Sequence, residues 1–315
     1  MGSNPTPSAT NPERGLLPSQ SGRIFVSAFV AVVAQKTGLS QGSDGLARPA
    51  PHSRYTETGR WFAMLRLPAL QGTIDRRILV NYRADADRVA ALLPAPFHPK
   101  LVNGEAIVGI CLIRLAGIRP RGIPPWVTIG SENAAHRIAV EWDDVDGIVR
   151  EGVYVPRRDT SSCLVSLMGG RIFPGVLHRA RFTVRESDTD LHVAMVSADG
   201  ETRVSVDATL TGDLARTSIF RSLDEASAFF ERGSVAYSPG ATSGSYDGLE
   251  LRSHGWKVEP LSIDSVTSSF FERADLFPRG SVTLDNALLM RRIEHEWHGH
   301  GVLTGSTVPS VRRSA

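Results

Sequence analysis

The sequence predicts a mainly β protein of the α+β class, and three features agree on this. Between about residues 61 and 303, short apolar alternations are separated by Gly, Pro and Asp, a pattern typical of many short strands. Helical periodicity is confined to a few segments. The chain has 315 residues, of which 41% are hydrophobic, so it can bury a substantial core. It carries no P-loop and no dinucleotide-binding fingerprint.

Seven segments have the alternation of strands, with side chains directed in turn to opposite faces of a sheet. In chain order they are residues 76–84, 105–115, 136–143, 151–156, 179–187, 191–198 and 202–210.

Two segments have helical signals. Residues 85–94, DADRVAALLP, open with an aspartate that can cap a helix and end at a proline. Residues 222–233, SLDEASAFFERG, place Ser222 and Glu225 at the spacing of a capping box, with Gly233 at the end.

The chain divides by composition into an extension, a domain and a tail. Residues 1–60 are rich in polar residues and are expected to be disordered, 61–305 to form a single domain, and 306–315 to be flexible. Within the extension, residues 24–34 (IFVSAFVAVVA) resemble the hydrophobic part of a signal peptide, with cleavage after Ala34. They also fit a short amphipathic helix or an over-extended start. A bilayer span needs about 20 apolar residues, so no membrane span is expected.

Charge and cysteine content exclude several classes of function. Basic and acidic residues, 35 and 33, are interspersed and leave a net charge of +2, so a nucleic-acid partner is not expected. Cys111 and Cys163 are too few for a disulfide framework or a four-cysteine metal site, although one bridge stays open. A cytoplasmic location is therefore expected, with secretion through residues 24–34 as the alternative.

Several motifs between residues 75 and 297, in this order, resemble the DUF2071 family. They are YRADADRVAALLPAPF, GIRPRGIP, SENAAHRIAVEW, GVYVPRRDTSS, GGRIFPGVLHRARF, SSFFERADLFPRGS and EHEW. That family is similar in fold to acetoacetate decarboxylase. The resemblance implies a curved, partly closed antiparallel sheet or cone with a few peripheral helices, which holds a pocket for a small carbonyl or carboxylate compound.

In acetoacetate decarboxylase, a lysine pair follows a Tyr-Pro at the end of such a strand, and one lysine forms a Schiff base with the substrate. Alignment on the proline of PRRD puts Arg157 at that lysine and Arg158 at its neighbour. A guanidinium group is not an amine nucleophile at neutral pH. Acetoacetate decarboxylase activity is therefore not expected.

The two arginines are instead suited to bind a carboxylate, phosphate or enolate bidentately. The alternative is structural, with Asp159 paired to one arginine and the hydroxyl residues, Ser161 among them, completing a turn. Because Arg157 and Arg158 are adjacent on a strand, only one of them is expected to point into the pocket.

Glu132 stands where the resemblance implies an active-site glutamate, and His136 follows four residues later. Glu132 is a candidate for proton transfer. Equally, it could simply neutralise Arg157 or Arg158. His136 is a candidate substrate contact, with a hydrogen-bonded core histidine as the alternative.

Further candidates to bind substrate are Arg76, Asp159, Ser161, Arg171 and His178. For Arg76 the register could differ by one residue, which leaves Arg77 as the alternative. For Arg171 and His178 the alternative is a plain strand-edge role. The segment IEHEWHGH brings three histidines and two glutamates together, but it lacks the HExxH spacing. No metal and no cofactor are therefore expected.

The function predicted from the sequence is a small-molecule enzyme that acts on an oxo acid or another carboxylate or carbonyl compound without Schiff-base catalysis. Lyase, dehydratase, isomerase and cyclase reactions all remain open. The alternative is a ligand-binding protein of the same fold without catalysis. A free Glu132 carboxylate beside a cavity would favour catalysis, and one held by arginine would favour binding or structure. Assembly of identical chains is allowed, with no predicted interface.

Overall fold

The computed structural model describes residues 69–126, 128–163, 166 and 175–305. The expected extension 1–60, its apolar segment 24–34, the tail 306–315 and the candidate Arg171 lie outside these residues. The predicted domain boundaries therefore stay predictions.

The described residues contain two α-helices. Helix α1, Ala86–Leu92, begins after Asp85, whose carboxylate accepts a hydrogen bond from the backbone N–H of Arg88, as the sequence predicts. Helix α2, Leu223–Arg232, begins after Ser222, whose hydroxyl accepts from the N–H of Glu225. The Glu225 carboxylate accepts in return from the N–H of Arg221, one residue before the expected capping-box partner.

Strands make up most of the described chain, which confirms the mainly β class. They are β1 Leu70–Ala84, β2 His98–Pro99, β3 Leu101–Val102, β4 Glu105–Pro120, β5 Ile129–Asp143, β6 Val149–Thr160, β7 Leu177–Glu186, β8 Asp190–Ser197, β9 Arg203–Leu210, β10 Val235–Pro239, β11 Ser245–His254, β12 Glu259–Ser268 and β13 Val282–Thr304.

The strands pair into a curved sheet that closes on itself. One ring of pairings runs β6–β7–β8–β9–β12–β13–β1–β4–β5 and returns to β6. A second ring shares β6, β5, β4, β1 and β13 with the first and is closed by β10 and β11. Only the pairings of β6 with β7 and β10 are parallel within the described sheet. The expected antiparallel cone is therefore correct except along β6.

The two faces of the shared strands support two separate apolar clusters, because successive side chains of a strand point to opposite faces. Ile78 belongs to the first cluster and Leu79 to the second. Helix α2 covers part of the second cluster with Phe229 and Phe230. The same alternation sends neighbouring polar residues of β1, β5 and β6 to different sides of the sheet.

The sequence pattern missed β2, β3 and β10 to β13 and underestimated the length of β1, β4, β5 and β6. Strand β13 is 23 residues long and includes the polar run RRIEHEWHGH, which does not alternate as an amphipathic strand does. Its pairing with β1, β11 and β12 overrides that local signal. Within the described ranges, no helix is long and apolar enough to cross a membrane.

Candidate functional site

Arg157 and Arg158 point to opposite sides of the sheet. Arg157 is opposite His136 in the β5–β6 register, and Arg158 is opposite Ala135. The Arg157 side chain forms ion pairs with carboxylates, whereas Arg158 lines a cavity. The two residues of the PRRD motif therefore have different environments.

Arg157 is enclosed by ion pairs. Its Nε and Nη2 donate to the two carboxylate oxygens of Asp159 at 3.1 and 3.0 Å, and Nη2 also donates to Asp199 at 2.7 Å. Glu201 accepts from Nη1 at 3.2 Å. Burial would lower the pKa of Arg157, but the hydrogen bonds to Asp159 and Asp199 outweigh burial and raise it. The charge of Arg157 is thus neutralised by the protein itself.

Two other predicted site residues belong to the same polar region. His178 Nδ1 lies 3.0 Å from the Asp199 carboxylate, so His178 extends the Arg157 ion-pair cluster. The Ser161 hydroxyl accepts a hydrogen bond from the backbone N–H of Glu132 at 3.0 Å, and the Ser161 N–H donates to the Glu132 carbonyl at 2.9 Å. Ser161 therefore fastens the end of β6 to β5.

The Glu132 carboxylate is held by two arginines, which are Arg76 and Arg114 rather than Arg157 or Arg158. Glu132 Oε2 accepts from Arg76 Nη2 and Oε1 from Arg114 Nε, each at 2.6 Å. Glu186 completes the network, since Arg76 Nη1 donates to it at 2.8 Å and Arg114 also pairs with it. Burial would raise the pKa of Glu186, but the hydrogen bonds from both arginines outweigh it and lower that pKa. Asp75 accepts from Arg114 Nη1 at 3.4 Å, so the arrangement is a five-membered ion-pair network in which Arg76 is buried.

His136 is fully buried in the first cluster. Its Nε2 lies 3.0 Å from the Ser268 hydroxyl, and its ring stacks on Phe270 with centroids 4.6 Å apart. Burial, together with the charge of Arg157, lowers the pKa of His136 to about 3. The imidazole is therefore neutral in the folded protein, and its surroundings are those of a core histidine.

A cavity of about 120 Å³ lies on the opposite face, inside the second ring of strands. Its walls are mostly apolar, with residues such as Ile113, Leu115 and Val155. The polar side chains that interrupt these walls come from β1, β4, β5 and β6. They are Arg77, Cys111, Ser131, Asn133, Arg137 and Arg158.

Arg158 is the least satisfied cation of this cavity. Its Nε donates to the Ser238 hydroxyl at 2.7 Å, and its Nη2 is buried without a hydrogen-bond partner among the described residues. Burial lowers the pKa of Arg158 to about 10, so the group is still charged at neutral pH. Asp159 also lines the cavity, but its carboxylate is engaged by Arg157.

Arg137 and Arg77 add two further guanidinium groups. Arg137 donates from Nη2 to Asn81 and lies 4.8 Å from the centroid of the Phe230 ring, while its buried Nε is unpaired within the described chain. Burial lowers its pKa to about 10. Arg77 donates from Nε to the Cys111 sulfur at 3.3 Å. None of the three cavity arginines has an ion pair to a carboxylate in the part of the chain described.

The structure therefore separates the residues singled out in the sequence. Arg76, Glu132, His136, Arg157, Asp159 and His178 carry their contacts away from the cavity arginines, and Arg158 alone among the candidate residues directs an unpaired group at the cavity. The IEHEWHGH segment lies on β13. The described residues contain no group of three or more His, Cys, Asp or Glu side chains that could hold a metal ion.

Four polar residues of the cavity were not predicted as site residues: Cys111, Ser131, Asn133 and Arg137. The signal that could have identified Arg137 is its position next to His136 within an apolar strand, because two adjacent polar residues in such a strand must face opposite sides. Cys111 carried no comparable signal, since a cysteine in an apolar strand is usually a small core residue.

The fold is similar to that of solved enzymes. Acetoacetate decarboxylase from Legionella pneumophila aligns over 84% of this chain and 98% of its own, with 11% identity and a TM-score of 0.50. An acetoacetate decarboxylase-like enzyme from Sphingomonas wittichii RW1 aligns over 75% and 92%, with 12% identity and a TM-score of 0.48. The enduracididine biosynthesis enzyme MppR, complexed with pyruvate, aligns over 82% and 99%, with 12% identity and a TM-score of 0.46.

At this level of identity, the first of these similarities shows the shared fold alone. A comparison with proteins of curated function gave no significant match. The model of the family DUF2071, described as an uncharacterized conserved protein, matches residues 72–287, which is more than half of the chain. The protein therefore belongs to the DUF2071 family, as its motifs predict.

Proposed function

We propose that the protein binds a small carboxylate or oxo acid in the cavity of the second ring and acts on it without Schiff-base chemistry. The observation that carries the proposal is Arg158, a residue that lines that cavity and whose buried Nη2 lacks a partner among the described residues. A buried polar group without a partner costs free energy, and a charged one costs more. A bound anion would supply the missing acceptor.

The charge around the cavity supports an anionic ligand. Arg77, Arg137 and Arg158 line it, and the nearby Asp159 is already neutralised by Arg157. Guanidinium groups match carboxylates in geometry, and their hydrogen bonds to them are strong. The preference for an anion therefore arises from three fixed cations in a largely apolar enclosure.

The volume supports a small ligand. A cavity of about 120 Å³ is comparable to the roughly 150 Å³ cavity that holds benzene in another protein. A ligand of about six heavy atoms, such as pyruvate, fits this scale. Larger substrates would need the cavity to widen.

The chemistry that these residues allow is electrostatic. A guanidinium group beside the substrate carbonyl would stabilise an enolate, which serves enolisation, dehydration, cyclisation and decarboxylation. No lysine is among the described residues that line the cavity, and Lys100 is paired with Glu151. The proposal thus covers lyase, dehydratase, isomerase and cyclase reactions and excludes an amine nucleophile.

Ligand binding without catalysis is the second candidate, and one observation favours it. The Glu132 carboxylate is engaged by both Arg76 and Arg114, so it lacks the freedom that a general base needs.

We also propose that the protein works in a reducing compartment, which its two free cysteines, Cys111 and Cys163, support.

The test is a thermal-shift titration of wild type, Arg158→Met and Arg150→Met with pyruvate and with its methyl ester. Arg150 is 53% exposed and is paired with Asp144, so Arg150→Met is the control. At 100 times its dissociation constant, a ligand adds about 2.7 kcal/mol to the free energy of unfolding. Pyruvate should stabilise wild type and Arg150→Met, the ester should not, and Arg158→Met should not respond. A response of Arg158→Met equal to that of wild type would refute the proposed site.

Catalysis is then separated from binding by exchange of the pyruvate methyl protons for deuterium, followed by NMR. Exchange that is faster with wild type than with Arg158→Met supports enolate stabilisation. Binding with no acceleration of exchange or of any other conversion of the ligand supports the non-catalytic candidate.

A further inference from the structure

Cys111 lies in the wall of the cavity, between the cationic side chains. It is on β4, it is free and buried, and its sulfur accepts a hydrogen bond from Arg77 Nε at 3.3 Å. It is also within Coulombic range of Arg137 and Arg158. Cysteine reacts as a nucleophile through its sulfur.

The strand register places Cys111 and Arg158 on either side of one small residue. Cys111 is opposite Ala135 on β5, and Ala135 is opposite Arg158 on β6. Adjacent strands are about 4.8 Å apart, so the backbones of Cys111 and Arg158 are roughly 10 Å apart. The methyl group of Ala135 leaves the space between them open. A ligand of about three carbons could therefore contact both side chains.

A second, independent observation marks this space as a ligand site. Arg137 is 6% exposed, lines the same cavity, and its Nε has no partner among the described residues. Arg158, which also lines the cavity, has an unpaired Nη2 in the described part of the chain, so two of the lining arginines each have a buried donor without a partner there. The Cys111 thiol therefore lies in a cavity wall that contains partly unpaired guanidinium groups, and not in a purely apolar core.

We propose that Cys111 is a covalent capture residue, which adds reversibly to the carbonyl carbon of an oxo acid held by Arg158. This inference rests on the proposed function, since Arg158 must first bind the carboxylate. The sulfur lone pair forms a bond to the carbonyl carbon, and the π electrons of the carbonyl move to its oxygen. The thiol proton is transferred to that oxygen, so the product is a neutral hemithioketal. No other reactant is consumed.

In acetoacetate decarboxylase, a lysine binds the substrate carbonyl covalently as a Schiff base. Here the Cys111 thiol would bind the carbonyl covalently as a hemithioketal. The guanidinium groups of Arg77 and Arg137 stand where they can stabilise the developing alkoxide, as oxyanion-binding donors do. Cys111 would then hold the substrate while the fixed cations act on it.

The first experiment compares alkylation by iodoacetate, which is anionic, with alkylation by iodoacetamide, which is neutral, at both cysteines of the full-length protein. In each reaction the thiolate displaces iodide. Cys163 is exposed and serves as the internal control. A cationic site raises the local concentration of an anion by about tenfold or more. The rate ratio of iodoacetate to iodoacetamide, measured by mass spectrometry, should therefore be at least about tenfold higher at Cys111 than at Cys163.

Pyruvate should protect Cys111 and leave Cys163 unaffected, and Arg158→Met should abolish the preference for iodoacetate. The adduct itself is tested with pyruvate labelled with carbon-13 at the carbonyl. Its signal should move from the ketone region to the tetrahedral-carbon region with wild type. Cys111→Ala should still bind pyruvate in the thermal-shift titration but should not give the tetrahedral signal.

The outcomes separate the two proposals. If pyruvate binds through Arg158 but Cys111 is inert and no tetrahedral carbon forms, the capture residue is refuted and the proposed function stands. If Cys111 is alkylated with no preference for iodoacetate and pyruvate does not bind, both are refuted. A tetrahedral signal that persists in Cys111→Ala would also refute the role of this thiol.

Discussion

Replacement of Glu132 by glutamine should lower the stability of the protein, because the carboxylate neutralises a buried cation. Arg76 is 2% exposed and Glu132 16% exposed, and the atoms that join them are 2.6 Å apart. Loss of one partner of a buried ion pair typically costs about 3–5 kcal/mol. Glu186 still pairs with Arg76 at 2.8 Å, so we expect the lower end of that range or slightly less, about 2–3 kcal/mol.

The assay is chemical denaturation and calorimetry of wild type and Glu132→Gln at neutral pH. For a domain of this size, about 2–4 °C is lost per kcal/mol, so the expected fall in Tm is about 5–10 °C. Glu105→Gln is the matched control, since Glu105 is 46% exposed and its nearest cation atom, on Arg83, is 3.8 Å away. That control should change the free energy of unfolding by less than about 0.5 kcal/mol.

A Glu132→Gln variant as stable as wild type would refute this reasoning. If such a variant also lost proton exchange on pyruvate, Glu132 would act in the chemistry and not in the ion-pair network. If it lost stability and kept pyruvate binding, its role would be structural.

Two further predictions concern the strands around the site. His136 has a pKa of about 3 in the folded protein and about 6.5 when unfolded. Between these values only the unfolded state binds the proton, so this histidine should reduce stability on acidification by about 1.4 kcal/mol per pH unit. His136→Gln should remove that contribution from the pH dependence of the free energy of unfolding, and parallel curves for both proteins would contradict the assignment. Gly109→Ala would place a methyl group 2.5 Å from the Val80 carbonyl oxygen and 3.5 Å from Arg137 Nη2. It should destabilise the protein by about 1–3 kcal/mol in urea unfolding, whereas Gly212→Ala, with open space around it, should not; equal stability of the two variants would show that β4 shifts freely.

Local signals in the sequence predicted a large part of the fold correctly. The caps at Asp85 and Ser222 lie within three residues of the amides they bind, so both helices could be predicted from neighbours in the chain. The seven predicted strands alternate in polarity because each has one or both faces in an apolar cluster. Strands β10 to β13 were missed because their apolar residues do not alternate regularly with polar ones, although several of them are buried in the two clusters.

For the candidate site, the residue types were sufficient for part of the chemistry. Arginine at both positions of PRRD rules out an amine nucleophile there, whatever the fold. The alternation of a strand also requires that Arg157 and Arg158 face opposite sides. Which of them would be neutralised, and by what, could not be predicted from that alternation.

The sequence by itself therefore determined the β-rich class, the two capped helices, the family and the absence of a Schiff-base lysine at PRRD, since all of these depend on residue identity and short-range order. Only the tertiary structure decided that Arg157 is neutralised while Arg158 faces a cavity with Cys111. The physical reason is that these contacts join distant parts of the chain: Arg76 meets Glu186 across 110 residues, and Arg157 meets Asp199 across 42. Such pairs are set by strand register and ring closure, which no local pattern in the sequence records.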